Sequence, residues 1–175
     1  MMQKRLGISG KLVKEIMQDE NFRRLRACIQ CGECTAGCPS ALYTPLRVRM
    51  IMRKVLTGIE NVLSDLDIWE CVCCYSCLER CTRHIPVTEV IYQLRNMAVR
   101  GGYLIEPFKI LLKNLIETGQ AVPIGGKYSK WTQLRKLLEL DSFTPNCNLS
   151  QKGQTELDIL FDRIGFYQRI PFRKF

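Results

Sequence analysis

Long apolar runs are missing from this 175-residue sequence. The most apolar stretch, FKILLKNLI at residues 108–116, is interrupted by two lysines. A transmembrane helix needs about 20 predominantly apolar residues in succession, so we expect no membrane span. The N-terminal stretch MMQKRLGISGKLVKE also has no apolar segment of the kind that defines a secretory signal peptide. We therefore expect a soluble protein in the cytoplasm.

Motifs of nucleotide binding and hydrolysis are equally absent. The sequence has no G-x-G-x-x-G fingerprint, no Walker loop and no H-E-x-x-H motif, and its one histidine is His84. These absences argue against a flavin, nicotinamide or nucleotide site. Since no Ser-His-Asp arrangement is evident either, we expect no catalytic residue and no substrate site on this chain.

Cysteine, in contrast, is abundant. Eight of the ten cysteines form two arrays with the same C-x2-C-x2-C-x3-C spacing. In a chain without an export signal, such a density of thiols indicates metal binding rather than a disulfide framework. The first array comprises Cys28, Cys31, Cys34 and Cys38, and the second comprises Cys71, Cys74, Cys77 and Cys81.

This spacing is typical of ferredoxins that hold two [4Fe–4S] clusters. Three closely spaced cysteines curl around one metal–sulfur core, and the fourth ligates the other cluster. The predicted ligands of cluster 1 are Cys28, Cys31, Cys34 and Cys81. The predicted ligands of cluster 2 are Cys71, Cys74, Cys77 and Cys38. With all eight thiolates used, neither cluster has an open position for substrate, so both are expected to carry single electrons.

Zinc is the alternative metal. Structural zinc sites usually join two separated ligand pairs and often include histidine, whereas His84 lies outside both arrays. A zinc-bound structural or nucleic-acid-binding module would be colourless, and an iron–sulfur protein would be brown. The formal charge of +9 does not by itself indicate nucleic acid, because no aromatic-basic motif accompanies it. Cys73 breaks the spacing, and we expect it to be a small buried filler.

Helical periodicity predicts a mainly α fold with the cysteine arrays in loops between helices. Thr44 and Pro45 are expected to start the helix that follows the first array, and Gly58 to end it. The predicted helices cover residues 11–20, 45–57, 87–100, 107–118, 129–141 and 155–164. Residues 1–118 are predicted to form the cluster-binding domain, and residues 119–175 a helical and irregular extension that docks on partner proteins of a complex.

The arrays, the 32 residues between Cys38 and Cys71, and the phrase DIWECVCCYSCLERC resemble HdrC, the small iron–sulfur subunit of the CoB–CoM heterodisulfide reductase of methanogenic archaea. The likeness extends over about residues 10–118 and more loosely over the tail. It implies an α-helical ferredoxin fold with two [4Fe–4S] clusters. Thr82 departs from the proline that usually follows the fourth cysteine, which leaves ligation intact but affects the expected reduction potential.

The resemblance also implies a role. A flavin-containing subunit of the heterodisulfide reductase would split electron pairs by flavin-based electron bifurcation, supplied by a hydrogenase or formate dehydrogenase module. This chain would relay single electrons to the catalytic subunit, which reduces the CoM–CoB disulfide in methanogenesis. The remaining alternative within the same chemistry is an iron–sulfur subunit of another oxidoreductase, of the dicarboxylate or glycerol-3-phosphate type.

Overall fold

The computed structural model describes residues 18–118, 121, 129–140 and 150–169. These residues form helices and connecting turns, and no β-strand occurs among them, which confirms the mainly α prediction. Within these ranges the α-helices are α1 (Glu20–Leu25), α2 (Glu33–Ala36), α3 (Val48–Leu56), α4 (Ser76–Glu79), α5 (Val87–Arg100), α6 (Glu106–Thr118), α7 (Ser129–Leu137), α8 (Gln151–Arg163) and α9 (Phe166–Arg169). Short 3-10 helices cover Ser40–Leu42, Glu60–Leu63 and Leu66–Trp69.

The chain divides into two compact units, residues 1–103 and residues 104–175. The first unit contains both cysteine arrays. The boundary after residue 118, between the predicted cluster-binding domain and the predicted docking extension, stays a prediction.

Helix α5 is the centre of the first unit. Its apolar residues recur at helical spacing, and the face that they form is buried. The fully or nearly fully buried side chains of this face are Val87, Val90, Ile91, Leu94 and Ala98. The helix packs against α1, α4 and the 3-10 helices at 60–63 and 66–69. The segment just before the second array is thereby held against α5.

The predicted cap of α3 is wrong. The helix begins at Val48, and its N-cap residue Arg47 makes no side-chain capping bond. Thr44 instead donates its hydroxyl to the Ser40 carbonyl at 2.9 Å and accepts from the Leu46 N–H at 3.3 Å. The hydroxyl is engaged in the turn after the first array, so it is not available to the helix. Helix α3 ends at Leu56, and Gly58 follows with a left-handed φ of 69°, as expected of a stop.

The second unit contains α6, α7, α8 and α9 within the described ranges. Helix α8 begins at Gln151, four residues before the predicted start, because the Ser150 hydroxyl accepts from the Gly153 N–H at 3.0 Å. Gly165 follows this helix in the left-handed conformation, with a φ of 63°. The predicted helix at 11–20 lies largely outside the described residues.

No helix in the described part of the chain is both long and apolar enough to cross a membrane.

Candidate iron–sulfur sites

The two arrays have the same backbone conformation. Each residue of the first array lies 43 positions before its counterpart in the second, as Cys28 does before Cys71. In both arrays the residues at the third and fifth positions are left-handed: Gln30 and Gly32 in the first, Cys73 and Tyr75 in the second. Each array then continues into a four-residue helix, α2 or α4. The internal repeat of the sequence is therefore a repeat of structure.

A cavity lies beside the first array. Its lining residues include Cys28, Cys31 and Cys34 of the first array and Cys81 of the second. These are the four residues predicted to hold cluster 1. The fold brings them together, and their ligation stays a prediction.

Two of the other residues predicted to hold cluster 2, Cys38 and Cys74, lie near Cys77. Cys77 is 7 % exposed and belongs to the hydrophobic core, against which Cys38 and Cys71 pack. Burial raises the pKa of the Cys77 thiol, and the nearby Cys74 and Cys38 raise it further. That electrostatic influence indicates that Cys38, from the first array, lies close to Cys77 of the second.

Two hydrogen bonds connect the arrays, and we call them the cross-array hydrogen bonds. The Ser40 hydroxyl donates to the Glu70 carbonyl at 2.6 Å, and Arg83 Nε donates to the Ala27 carbonyl at 3.3 Å. Ser40 and Arg83 each stand two residues after the fourth cysteine of their array. Glu70 and Ala27 each stand one residue before the first cysteine of the other array. Each fourth cysteine is thus anchored near the opposite array.

These two donors were not recognised from the sequence. Ser40 and Arg83 are chemically dissimilar, and nothing marks either as a functional residue. The signal that could have found them is the 43-residue register, in which the two positions are equivalent.

The two sites adjoin at the third cysteines. Helix α2 packs against α4, and the nearby Cys77 is among the groups that raise the pKa of Cys34. Cys31 and Cys74, the middle cysteines of the three, are exposed. Each site therefore has one side at the protein surface and one side next to the other site.

Hydrogen-bond donors surround the cysteine sulfurs. Gln30 Nε2 donates to Cys28 Sγ at 3.3 Å, and the Ile85 N–H donates to Cys81 Sγ at the same distance. The Cys73 N–H donates to Cys71 Sγ at 3.4 Å. A thiolate bound to iron retains lone pairs that accept such bonds, so this donor set fits an anionic iron–sulfur cluster. Thr82 lines the cavity, but the N–H that donates to Cys81 is that of Ile85.

Burial controls the acidity of the thiols in the metal-free chain. It raises the pKa of Cys34 to about 11 and that of Cys71 to about 11. Cys74 is exposed, and its hydrogen bonds with Ser76 lower its pKa. Since iron binds thiolate, the buried thiols must release their protons when a cluster is bound.

Cys73 differs from the expectation of a buried filler. Its side chain is half-buried, and Arg95 Nη1 donates to its sulfur at 3.5 Å. The side chain of His84 is exposed, and its backbone is in the left-handed conformation.

A domain family described as "4Fe-4S dicluster domain" matches residues 24–85. The matched segment runs from α1 to the residues just before α5 and includes both arrays. The class of protein is therefore a two-cluster iron–sulfur protein with an α-helical fold, and its cofactors are two [4Fe–4S] clusters.

Curated relatives define the family more narrowly. The chain is 38 % identical over 154 residues to the C2 subunit of the H(2)/formate:CoB-CoM heterodisulfide,ferredoxin reductase of Methanococcus maripaludis, covering 88 % of this chain and 82 % of that protein. It is 36 % identical over 164 residues to the C2 iron–sulfur subunit of the CoB–CoM heterodisulfide reductase of Methanocaldococcus jannaschii, with coverage of 94 % and 85 %. It is 39 % identical over 157 residues to the C subunit of the ferredoxin:CoB-CoM heterodisulfide reductase of Methanosarcina mazei, with coverage of 86 % and 96 %.

The chain belongs to the HdrC family, the small iron–sulfur subunits of heterodisulfide reductases. Its role is that of an electron-transfer iron–sulfur subunit of an oxidoreductase, which the resemblance implied.

Proposed function

We propose that this chain is a non-catalytic relay that passes single electrons between the flavin-containing subunit of a cytoplasmic heterodisulfide reductase and its catalytic subunit. The catalytic subunit would reduce the CoM–CoB disulfide. The curated relatives carry hydrogen, formate or ferredoxin in their names, together with the heterodisulfide. These names support a hydrogenase or formate dehydrogenase module as the source of electrons.

The observation that carries the proposal is the continuity between the two sites. Cys31 and Cys74 are exposed, and Cys34 lies near Cys77 at the junction of the sites. Clusters held by these cysteines would supply two neighbouring one-electron carriers, with Cys31 and Cys74 on the exposed side of each. A chain with one cluster, or with two distant ones, would lack such a pair of carriers.

The proposed ligand sets cross between the arrays, as predicted from the spacing. The cavity beside the first array and the cross-array hydrogen bonds support this assignment. Cys38→Ser is expected to damage cluster 2, and Cys81→Ser to damage cluster 1, because a serine oxygen is a poorer iron ligand than a thiolate. Electron paramagnetic resonance distinguishes the two after Cys31→Ser and Cys74→Ser have been used to assign the signals. If Cys38→Ser reproduces the Cys31→Ser spectrum, each array holds its own cluster.

The relay itself is tested in the assembled complex. A complex that contains Cys31→Ser or Cys74→Ser should lose heterodisulfide reduction driven through the flavin. The same complex should retain reduction driven by a low-potential dye that delivers electrons directly to the catalytic subunit. Equal loss of both activities would indicate a structural role, and full retention of the flavin-driven activity would contradict the relay.

We also propose that residues 119–175 bind partner proteins of the complex. Trp131 and Leu134 on α7 are 53 % and 44 % exposed, which favours an interface over a role in this chain's own core. At the end of α8 the rings of Phe161 and Phe166 stack, and the ring of Tyr167 meets both of them edge-on. The other aromatic residues of the predicted interface, Phe143, Phe172 and Phe175, lie outside the described residues.

Truncation after Gly119 tests the interface proposal. The shortened chain should retain two clusters and fail to enter the complex, as measured by co-purification and by iron content. A truncated chain that still assembles with its partners would refute the interface.

A further inference from the structure

Arg95 on α5 holds the backbone that leads into the second array. Its Nε donates to the Ile68 carbonyl at 2.8 Å, and its Nη2 donates to the Trp69 carbonyl at 3.2 Å and to the Cys71 carbonyl. The guanidinium also lies over the Trp69 ring, 5.7 Å from the ring centroid. A planar guanidinium with several fixed donors suits such a set of converging carbonyls, and a lysine ammonium does not reproduce it.

The same guanidinium faces sulfur. Nη1 donates to Cys73 Sγ at 3.5 Å, and the Cys73 N–H in turn donates to Cys71 Sγ at 3.4 Å. Arg95 is thereby connected to Cys71, a predicted ligand of cluster 2, in two ways: directly through the Cys71 carbonyl, and indirectly through Cys73.

The positive charge of Arg95 has no acidic partner among the described residues, where no carboxylate oxygen lies within 4.0 Å of it. The side chain is nevertheless half-buried. A half-buried charge without a counter-charge is unfavourable. A [4Fe–4S] cluster with four thiolates carries net negative charge, and bound in the second array it would supply the missing counter-charge.

The first array has no equivalent cation at this register. Forty-three positions before Arg95 stands Met52, which is 1 % exposed and lines the cavity beside the first array. At this register the charge therefore occurs in one repeat only, although Arg49 and Arg83 also line the cavity beside the first array.

We propose that Arg95 is a positioning and charge-compensating residue of cluster 2, which fixes the backbone of the second array and favours the reduced state of that cluster. The inference rests on the proposed ligand assignment. It predicts that loss of the Arg95 charge makes cluster 2 harder to reduce and leaves the reduction of cluster 1 unchanged, because a reduced cluster carries one more negative charge.

The test is a redox titration of the full chain loaded with iron and sulfide under anaerobic conditions, followed by electron paramagnetic resonance. The signal of cluster 2 is identified as the one lost in Cys74→Ser. In Arg95→Gln we expect the reduction equilibrium of cluster 2 to fall about tenfold, which is 59 mV for a one-electron couple. Arg95→Lys retains the charge and should restore at least half of that shift.

Arg100→Gln is the matched control. It removes the same charge from the exposed last turn of the same helix, where water screens it, and should leave both midpoints unchanged. If Arg95→Gln binds no iron at cluster 2, restoration of the cluster by Arg95→Lys supports the role of the charge. Failure of both variants with cluster 1 intact supports the positioning role, because lysine does not reproduce the carbonyl contacts.

An unchanged midpoint of cluster 2 in Arg95→Gln, or an equal shift of both clusters, would overturn the inference even if the iron content falls. Failure of the proposed function gives a different result: the assembled complex with Cys31→Ser or Cys74→Ser would keep its flavin-driven activity, whatever the midpoint of cluster 2 in Arg95→Gln.

Discussion

The Ser40 hydroxyl connects the end of the first array to the beginning of the second, and its removal has a predictable cost. Ser40 is 8 % exposed, and its 2.6 Å bond to the Glu70 carbonyl joins residues 30 positions apart. In Ser40→Ala that carbonyl loses its donor in a site almost closed to water. Leaving a buried acceptor unsatisfied costs about 1–3 kcal/mol. Some water reaches the site, so we expect about 1–2 kcal/mol, a factor of 5–30 in an equilibrium constant.

The expected effect is faster loss of cluster 2. Cys38 lies two residues before Ser40, and Glu70 precedes Cys71, so the bond holds two predicted ligands of cluster 2 together. Chelator-driven release is followed by the loss of visible absorbance, and samples taken during the reaction are assigned by electron paramagnetic resonance. In Ser40→Ala we expect cluster 2 to be released about 5–30-fold faster, with cluster 1 unchanged.

Two variants make the comparison specific. Arg83→Ala removes the equivalent cross-array hydrogen bond, which is longer, at 3.3 Å, and exposed. Because an exposed bond contributes less, this variant should accelerate the loss of cluster 1 by less than about 5-fold. Ser64→Ala removes an exposed hydroxyl that is 2.9 Å from a carbonyl only three residues earlier, and should change neither rate. Faster loss of cluster 1 in Ser40→Ala, or an equal effect in Ser64→Ala, would refute the reasoning.

Three further predictions address the cluster environments. Thr88→Val removes the hydroxyl that lies 3.4 Å from Cys77 Sγ. It should lower the midpoint potential of cluster 2 by about 20–65 mV, which is the equivalent of one hydrogen bond. An unchanged redox titration contradicts this. Gly32→Ala places a side chain at φ 93°, at a cost of about 1–2 kcal/mol, and should speed loss of cluster 1. Gly102→Ala, at φ 80°, carries the same strain outside the arrays and should leave that rate unchanged. Iron uptake by the metal-free chain should be faster at pH 9 than at pH 7, because burial raises the pKa of Cys34 to about 11 and its thiolate fraction grows with pH. The rate is measured by absorbance. A rate that does not depend on pH would show that thiol ionisation does not limit iron uptake.

The structural repeat gives the two sites different surroundings despite their common backbone. Gly32 of the first repeat corresponds to Tyr75 of the second, and both have a left-handed backbone conformation. The apolar Met52 corresponds to the charged Arg95. A non-glycine residue in the left-handed region costs about 1–2 kcal/mol, so the conformation at Tyr75 is held by the surrounding structure. These differences are expected to give the two clusters different potentials, which suits a relay with a direction.

The helices illustrate how far local pattern determines the fold. The apolar face of α5 follows from its spacing, since one face of this helix is apolar and a buried helix needs such a face. The start of α3 does not follow from Thr44 and Pro45, because the Thr44 hydroxyl is taken by the Ser40 carbonyl. A capping residue is predictable only where no tertiary or neighbouring partner competes for its side chain.

The sequence by itself determined the chemistry of this protein. The spacing of the eight array cysteines fixes the kind of cofactor and its number, because short loops of thiolates suit an iron–sulfur core. Only the tertiary structure decided which groups support each site. Ser40, Arg83 and Arg95 act on residues 30, 56 and 24–27 positions away, and hydrogen bonds over such distances depend on how the helices pack. No local sequence pattern encodes that packing, so the supporting groups can be identified only from the tertiary structure.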